Sequence, residues 1–343
     1  MKPLIHGLLL DELTDAIRKM GLPAFRAKQV WHWLYEQRVA TWAAMKNLPP
    51  DVRQKLDEQF ELIAAKLLEI TGPEHEARKI LTGLRDGECV EEVLLPSGTR
   101  RTVCVSSQVG CKFACAFCAS GQAGYKRNLL AGEIVGEVLL AATIWNDRPG
   151  NIVFMGVGEP LDNYDEVLRA IRILNNPDGF GIGARRITLS TCGIIPGIQR
   201  LAAEGLQIEL SVSLHAPDDA TRSRLMPANQ RYPLTTVLTA CKAYAEKTKR
   251  IITFEYTLVR GLNDSAAQAE ALARLLAPLP CRVNLIPLSP VEGFAGEPSA
   301  PETAHQFIRM LERAGINATL RDSQGSRIKA ACGQLRIRRL TTT

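Results

Sequence analysis

The sequence contains no run of 18 apolar residues, so no part of it is expected to cross a membrane. An export leader is not expected either. Leu8-Leu9-Leu10 is followed at once by Asp11 and Glu12, too short and too acidic for a secretory signal. A cytoplasmic protein is the expectation. The nine cysteines are an odd number and do not look like a secreted disulfide framework. Acidic residues are in slight deficit, 36 Asp and Glu against 42 Lys and Arg, which gives a net charge of +6. That lean suits a polyanion such as nucleic acid, although a solvated surface with a small basic excess explains it equally well. What remains is ordinary globular composition over 343 residues, 46% hydrophobic and 23% charged. It is enough for one large domain or two moderate ones.

Three of the cysteines crowd together in Cys111-Lys-Phe-Ala-Cys115-Ala-Phe-Cys118. No fourth ligand lies nearby. Zinc wants four, commonly Cys and His, and the next histidine is His215. A redox pair of the C-x-x-C kind would leave Cys111 unexplained. Three thiolates on a four-iron cluster leave one iron open to bind and reduce a substrate. Phe117 beside Cys118 would give such a cluster apolar cover. The triplet, Cys111, Cys115 and Cys118, is therefore expected to hold a [4Fe–4S] cluster.

Hydrophobic periodicity divides the chain. Residues 1–72 read as a helical accessory domain, with Leu13, Ile17 and Met20, then Val30 and Leu34, at helical spacing. Trp31, Trp33 and Trp42 fall there among Arg26, Lys28, Arg38 and Lys46. They suit either an RNA-facing module or the core of a small helical domain. Residues 73–101 read as a β-hairpin linker, with Asp86-Gly87 and Ser97-Gly98 as turns. From 102 to 335 strand and helix alternate. Strands are expected at Thr102–Ser106, Asn151–Met155, Arg186–Thr191, Gln207–Leu214, Ile251–Leu258, Arg282–Ile286 and Asn317–Arg321. The class is α/β, a partial (β/α)6 barrel, since six units are too few for the eight-fold one. Residues 336–343 form a basic tail.

Active sites in such folds lie at the C-terminal ends of the strands. The cysteine triplet follows the first strand and Gly156-Val-Gly158-Glu159-Pro160 the second. Ser190-Thr191 ends the third strand, Ser213-Leu214-His215 ends the fourth, and Ser289 follows the sixth. The glycine pair lets backbone approach a ligand, and Glu159 could accept from a ligand ammonium. A dinucleotide fingerprint would need a third glycine and a helix start, which Pro160 and Leu161 break. Cys104 and Cys332, taken alone, suit small buried hydrophobes.

Together these runs carry a resemblance. Cys104-Val-Ser-Ser-Gln-Val-Gly-Cys111, the triplet, Met155-Gly-Val-Gly-Glu-Pro160, Leu189-Ser-Thr191, Ser213-Leu-His215, Val283-Asn-Leu-Ile-Pro287 and Ala330-Ala-Cys-Gly-Gln-Leu335 resemble the RlmN/Cfr family of radical S-adenosylmethionine (SAM) RNA methyltransferases. Pro160 and Pro287 look like the RlmN branch. The resemblance implies methylation of carbon 2 of adenine in the peptidyl-transferase centre of 23S rRNA and beside the anticodon in tRNA. The Cfr branch would methylate carbon 8 instead.

It also implies roles for single residues. Cys111, Cys115 and Cys118 would hold the cluster, and Gly158, Glu159, Ser190, Ser213, Leu214, His215 and Ser289 would line SAM. Cys332 would carry the methyl group into a transient protein–RNA cross-link, and Glu91 would accept the ring proton. Cys104 would resolve the cross-link by a disulfide with Cys332. Two SAM molecules would be used per turnover, with an electron donor such as flavodoxin, by a monomer.

Two departures stand out. The family usually has Asn where this chain has Ser289, and acidic residues where it has Arg327 and Lys329. These keep alive a non-catalytic RNA-binding paralogue. A radical activase of a partner protein would leave Cys104 and Cys332 without a role.

Overall fold

A computed structural model describes residues 1–321, 325 and 328–334. The basic tail expected at 336–343 lies outside the described residues, as do Asp322, Ser326, Arg327 and Leu335.

The chain opens with α1 (Leu10–Lys19), α2 (Phe25–Tyr35) and α3 (Pro50–Gln59). On α1 the buried pair Leu13 and Ile17 sits four residues apart, the stripe that a packed helix needs. Pro50 starts α3 at the one turn where a missing N–H costs nothing. Trp31 is 1% exposed and packs on Tyr35 with ring centroids 4.5 Å apart. Trp33 and Trp42 are half-buried. The core explanation therefore holds for Trp31.

Four strands follow: β1 (Lys66–Thr71), β2 (Arg78–Gly83), β3 (Cys89–Ser97) and β4 (Arg100–Cys104). They pair in sequence order as an antiparallel meander. A two-stranded ribbon of β5 (Gln108–Gly110) and β6 (Tyr125–Asn128) brackets the cysteine loop and the one-turn α4 (Ala119–Gln122). Alternation then runs through α5 (Ala131–Trp145), β7 (Asn151–Phe154), α6 (Tyr164–Asn175), β8 (Ile187–Thr191), α7 (Ile195–Leu201) and β9 (Glu209–Ser213). It continues with α8 (Asp219–Leu225), α9 (Leu234–Thr248), β10 (Ile252–Leu258), α10 (Ala266–Leu276), β11 (Cys281–Pro287), α11 (Pro301–Arg313) and β12 (Asn317–Leu320).

One ten-stranded sheet results, in the order β1-β2-β3-β4-β7-β8-β9-β10-β11-β12. Every pairing from β4 to β12 is parallel. The sheet has free edges at β1 and β12, so it is the open, partial barrel that the alternation predicts. β10, paired in parallel on both sides, is buried along its whole length, as a parallel strand covered on both faces must be.

Two expected boundaries differ. The helical region ends at Gln59, and β1 occupies 66–71, inside the span assigned to helix. That strand is largely exposed, so its pattern Lys-Leu-Leu-Glu-Ile-Thr lacks clean alternation. The expected linker is also no separate hairpin. β1–β4 extend the main sheet, because β4 pairs with β3 on one side and β7 on the other.

Candidate active site

The cysteine loop turns at Ala114, whose φ of 48° lies in the left-handed region. A Cβ on Gly121 would meet the Ala114 Cα at 2.9 Å, so α4 packs hard against this turn. Cys111, Cys115 and Cys118 all face one cavity at the C-terminal ends of the strands. Burial pushes the Cys115 and Cys111 thiols up, with Phe113 N–H partly offsetting this at Cys111, and the neighbouring thiols add to the rise. A cation bound there reverses that preference, since a coordinating thiol is deprotonated outright. Among the described residues, no three His, Cys, Asp or Glu side chains are grouped as they would be around a single ion.

The opposite wall comes from the strand ends. Gly158, Glu159, Ser190, Ser213, His215 and Ser289 all line the same cavity. Leu214 does not. Its side chain is fully buried in the core, and only its backbone is engaged, its N–H donating to the Glu255 carbonyl at 3.0 Å.

The two glycines do different work from that expected. A Cβ on Gly156 would sit 2.6 Å from the Val105 carbonyl oxygen. One on Gly158, at φ +106°, would sit 2.6 Å from the Gln108 Cβ. The close approach they allow is to the segment leading into the cysteine loop. Glu159 is likewise committed within the protein. Its carboxylate accepts from the N–H of Leu161 at 3.0 Å and of Cys192 at 2.7 Å. Burial raises its pKa, and the Cys192 N–H opposes this. It joins the second strand end to the third and keeps lone pairs for a ligand.

His215 has φ 58° and is buried. Its Nδ1 accepts from the Thr257 N–H at 2.8 Å, so Nε2 carries the proton of the neutral ring. Burial pulls its pKa down to about 3. It meets Phe117 edge-on at 4.7 Å, so the cluster loop and the fourth strand end touch.

Several residues in or behind the wall were missed in the sequence. Arg222 is 0% exposed. It donates to the carbonyls of Cys192 (2.8 Å), Ser213 (3.2 Å), Leu214 (3.3 Å) and Tyr232 (3.1 Å), and to Asn229 Oδ1 (2.8 Å). It clamps the ends of β8 and β9 together. Cys192 is buried and lines the cavity. Glu255, the one charged residue in Ile-Thr-Phe-Glu-Tyr-Thr-Leu, lines it too. Its Oε2 has no hydrogen-bond partner and lies 3.7 Å from Arg321 Nη1. A lone charge in an apolar strand was the available signal.

A second cavity, of about 420 Å³, adjoins the first. Met155, Ile286, Ser289, Arg321 and Cys332 line both. Cys104 lines the second alone. Both cysteines are free thiols, Cys104 buried and Cys332 exposed. Burial raises both thiols and Arg321 pulls both back, so the two sulfurs share one local environment. At Cys332 the residue meets solvent while its sulfur side is packed. The Cys332 loop docks onto the cluster loop through main chain: the Ala119 N–H donates to the Gly333 carbonyl at 2.6 Å. Glu91 is not brought into either cavity. It is buried and paired with Lys79 Nζ at 3.1 Å, two residues from Val93, which lines the second cavity on the same strand face.

The first cavity is narrow, about 160 Å³, against roughly 300 Å³ and more for pockets holding a drug-sized ligand. The Cys332 loop is the wall that closes it. Its donors nevertheless suit the implied groups: three thiols on one side, and on the other the unpartnered Glu255 oxygen and a neutral imidazole N–H.

An open α/β sheet with a three-cysteine loop after its first parallel strand, facing a ligand-lined rim, defines a radical SAM enzyme. The chain matches the radical SAM superfamily over residues 105–273 and the ribosomal RNA large subunit methyltransferase N-terminal domain over residues 5–62. A probable dual-specificity RNA methyltransferase RlmN of Moorella thermoacetica is 46% identical, over 97% of each chain. One so named in Geobacillus kaustophilus is 45% identical over 98% of this chain and 93% of its own. The crystal structure of a radical SAM methyltransferase from Sphaerobacter thermophilus superposes with a TM-score of 0.94 at 44% identity, covering 97% of this chain and 99% of that one. The chain belongs to the RlmN family, whose radical SAM chemistry uses a [4Fe–4S] cluster and SAM.

Proposed function

We propose that the protein methylates RNA at carbon 2 of adenine, in 23S rRNA and in tRNA, with Cys332 as the carrier of the new carbon. The name shared by its relatives, dual-specificity RNA methyltransferase, supports the reaction class. The observation that carries the residue-level reading is the place of Cys332, in the wall between the two cavities and beside the environment of Cys104.

Cys111, Cys115 and Cys118 hold the cluster, and Gly158, Glu159, Ser190, Ser213, the Leu214 backbone, His215 and Ser289 surround SAM. Bound there, the two supply a transferable methyl group and one-electron chemistry able to take a hydrogen atom from an unactivated carbon, with two SAM consumed per turnover. Carbon 2 of adenine, between two ring nitrogens, is too electron-poor to attack a methyl donor itself. Cys332 solves this by presenting the carbon from its own sulfur. His215, neutral across the working range, donates a hydrogen bond without moving a proton. Glu91 takes the ring proton, and Lys79 holds that carboxylate in place. The Cys104 thiolate then attacks the Cys332 sulfur, the sulfur–carbon bond breaks, the leaving carbon takes up a proton to become the methyl group, and a Cys104–Cys332 disulfide remains. The protein's share is position and exclusion of water. The same reading makes it a cytoplasmic monomer fed by a flavodoxin-type donor.

The test is anaerobic incubation with each RNA, followed by mass-spectrometric mapping of 2-methyl against 8-methyl adenosine. Methylation at carbon 2 that vanishes in Cys332→Ala is the expected result. Colourless protein holding stoichiometric zinc, or label at carbon 8, would sink the proposal.

A further inference from the structure

The larger cavity has a mouth that the proposed reaction does not use. On β4, Arg100, Thr102 and Cys104 fall on one face at two-residue spacing. The paired strand β3 sets Ser97 opposite Arg100 and Val93 opposite Cys104. At about 3.3 Å per residue, the cavity floor runs roughly 13 Å from the thiol to Arg100. It runs toward the N-terminal end of β4, away from the rim that carries the cysteine triplet and the SAM-lining motifs. Ser97 and Arg100 are exposed at that far end, while Cys104 is buried at the near end. The passage therefore joins solvent to the two sulfurs from the side opposite the chemistry.

The lining has a definite charge. Among the described residues it includes Arg100 at the mouth and Arg321 beside the sulfurs, Arg321 lying 3.7 Å from Glu255 Oε2. Thr102, Asn151 and Thr188 add hydrogen-bonding groups between them. The exposed guanidinium of Arg100 at the mouth concentrates small anions there. A space of about 420 Å³ admits a small molecule as far as the buried Cys104.

The proposed reaction, on which this step rests, leaves the enzyme oxidised by two electrons after every methyl transfer. They must be returned before the next turnover. We propose that the larger cavity is the route by which a low-molecular-weight thiol bearing carboxylates reaches and reduces the Cys104–Cys332 disulfide. One thiolate attacks a sulfur of the disulfide, forming a mixed disulfide and releasing one protein thiolate. A second attacks the small-molecule sulfur of that mixed disulfide and releases the other. The products are two protein thiols, which take the protons given up by the two small thiols, and one small-molecule disulfide. Arg321 stands beside whichever protein sulfur leaves as thiolate.

The test uses full-length holoenzyme after one anaerobic turnover with RNA and no added thiol. Alkylation and peptide mass report the Cys104–Cys332 disulfide. Its reduction rate is measured with mercaptosuccinate, 2-mercaptoethanol and cysteamine, each normalised to its rate on a small open-chain disulfide. In wild type the dianionic thiol is favoured over the cationic one, on the order of tenfold, and salt weakens the preference. Arg100→Glu reverses the order, and Ser97→Trp, placed across the mouth, slows all three. Equal charge preference in wild type and Arg100→Glu overturns the route. So does reduction by a protein dithiol but by none of the small thiols. If no disulfide forms in wild type after turnover, the proposed roles of Cys104 and Cys332 fail first. If it forms but shows no dependence on Arg100, the route alone fails.

Discussion

Replacing Arg222 with Met tests whether one buried cation assembles the ligand wall. The side chain is fully enclosed and has no carboxylate among its hydrogen-bond partners. Its charge is spent on five oxygens, from Cys192, Ser213, Leu214, Asn229 and Tyr232. Burial lowers its pKa, with the Cys192 and Cys115 thiols opposing that drop. Methionine fills similar space with no donor. Five buried acceptors then go unmet at ~1 kcal/mol or more each, roughly 5 kcal/mol in all. Relief of the cation's own burial offsets about 2 kcal/mol of this. The expected net loss is about 3 kcal/mol, read as a shift in urea midpoint against wild type at pH 7.5. SAM affinity, measured by equilibrium dialysis on cluster-loaded protein, falls as well, because the carbonyls that lose their clamp belong to the ends of β8 and β9. Arg222→Lys does not rescue, since an ammonium cannot span five acceptors with three donors. A stability within about 1 kcal/mol of wild type would refute the clamp. It would mean the carbonyls find other donors at little cost.

Three further outcomes follow from other parts of the molecule. Gly156→Ala forces a Cβ to within 2.6 Å of the Val105 oxygen and 2.8 Å of Ser106 Oγ, so it lowers stability by about 1–3 kcal/mol in thermal unfolding. Lys79→Met removes the buried Lys79–Glu91 ion pair and lowers stability by about 1–3 kcal/mol in urea unfolding at neutral pH. Glu92 and Glu137 are both fully buried, and burial pushes both carboxyls well above 4.5, with Glu92 pushing Glu137 further. Stability from that protonated pair is complete below about pH 4.5 and is lost as pH climbs toward the folded-state values. Glu137→Gln therefore gains more stability at pH 8 than at pH 5, and equal gains at both would count against the pair.

The sequence foretells the parallel strands well because their residues face apolar neighbours on both sides. Asn151–Phe154, Ile252–Leu258 and Cys281–Pro287 each begin and end within a residue of the expected span. β1 is missed because its exposed residues obey no burial pattern. The rim is legible as well: nine of the ten residues spread over four strand ends and the cysteine loop face one cavity. They are Cys111, Cys115, Cys118, Gly158, Glu159, Ser190, Ser213, His215 and Ser289, and Leu214 is the exception. The polar residues behind the wall were hidden. Arg321 looks like the last residue of a strand, yet it lines both cavities. Arg222 lies in a helix with ordinary charge spacing, and nothing local marks it as buried. Its partners are backbone oxygens, which one-letter codes do not display.

The loop bearing Cys332 reaches the cysteine loop through the Gly333 carbonyl and the Ala119 N–H. A Cβ on Gly333 would meet the Phe117 carbonyl oxygen at 2.8 Å, so only the bare backbone fits there. A joint of this kind does not read side-chain charge. Substitutions around it, Lys329 among them, are free to drift with the surface of a particular RNA while the sulfur keeps its place. Evolution can thus retune the company this loop keeps without disturbing the hinge point of its chemistry.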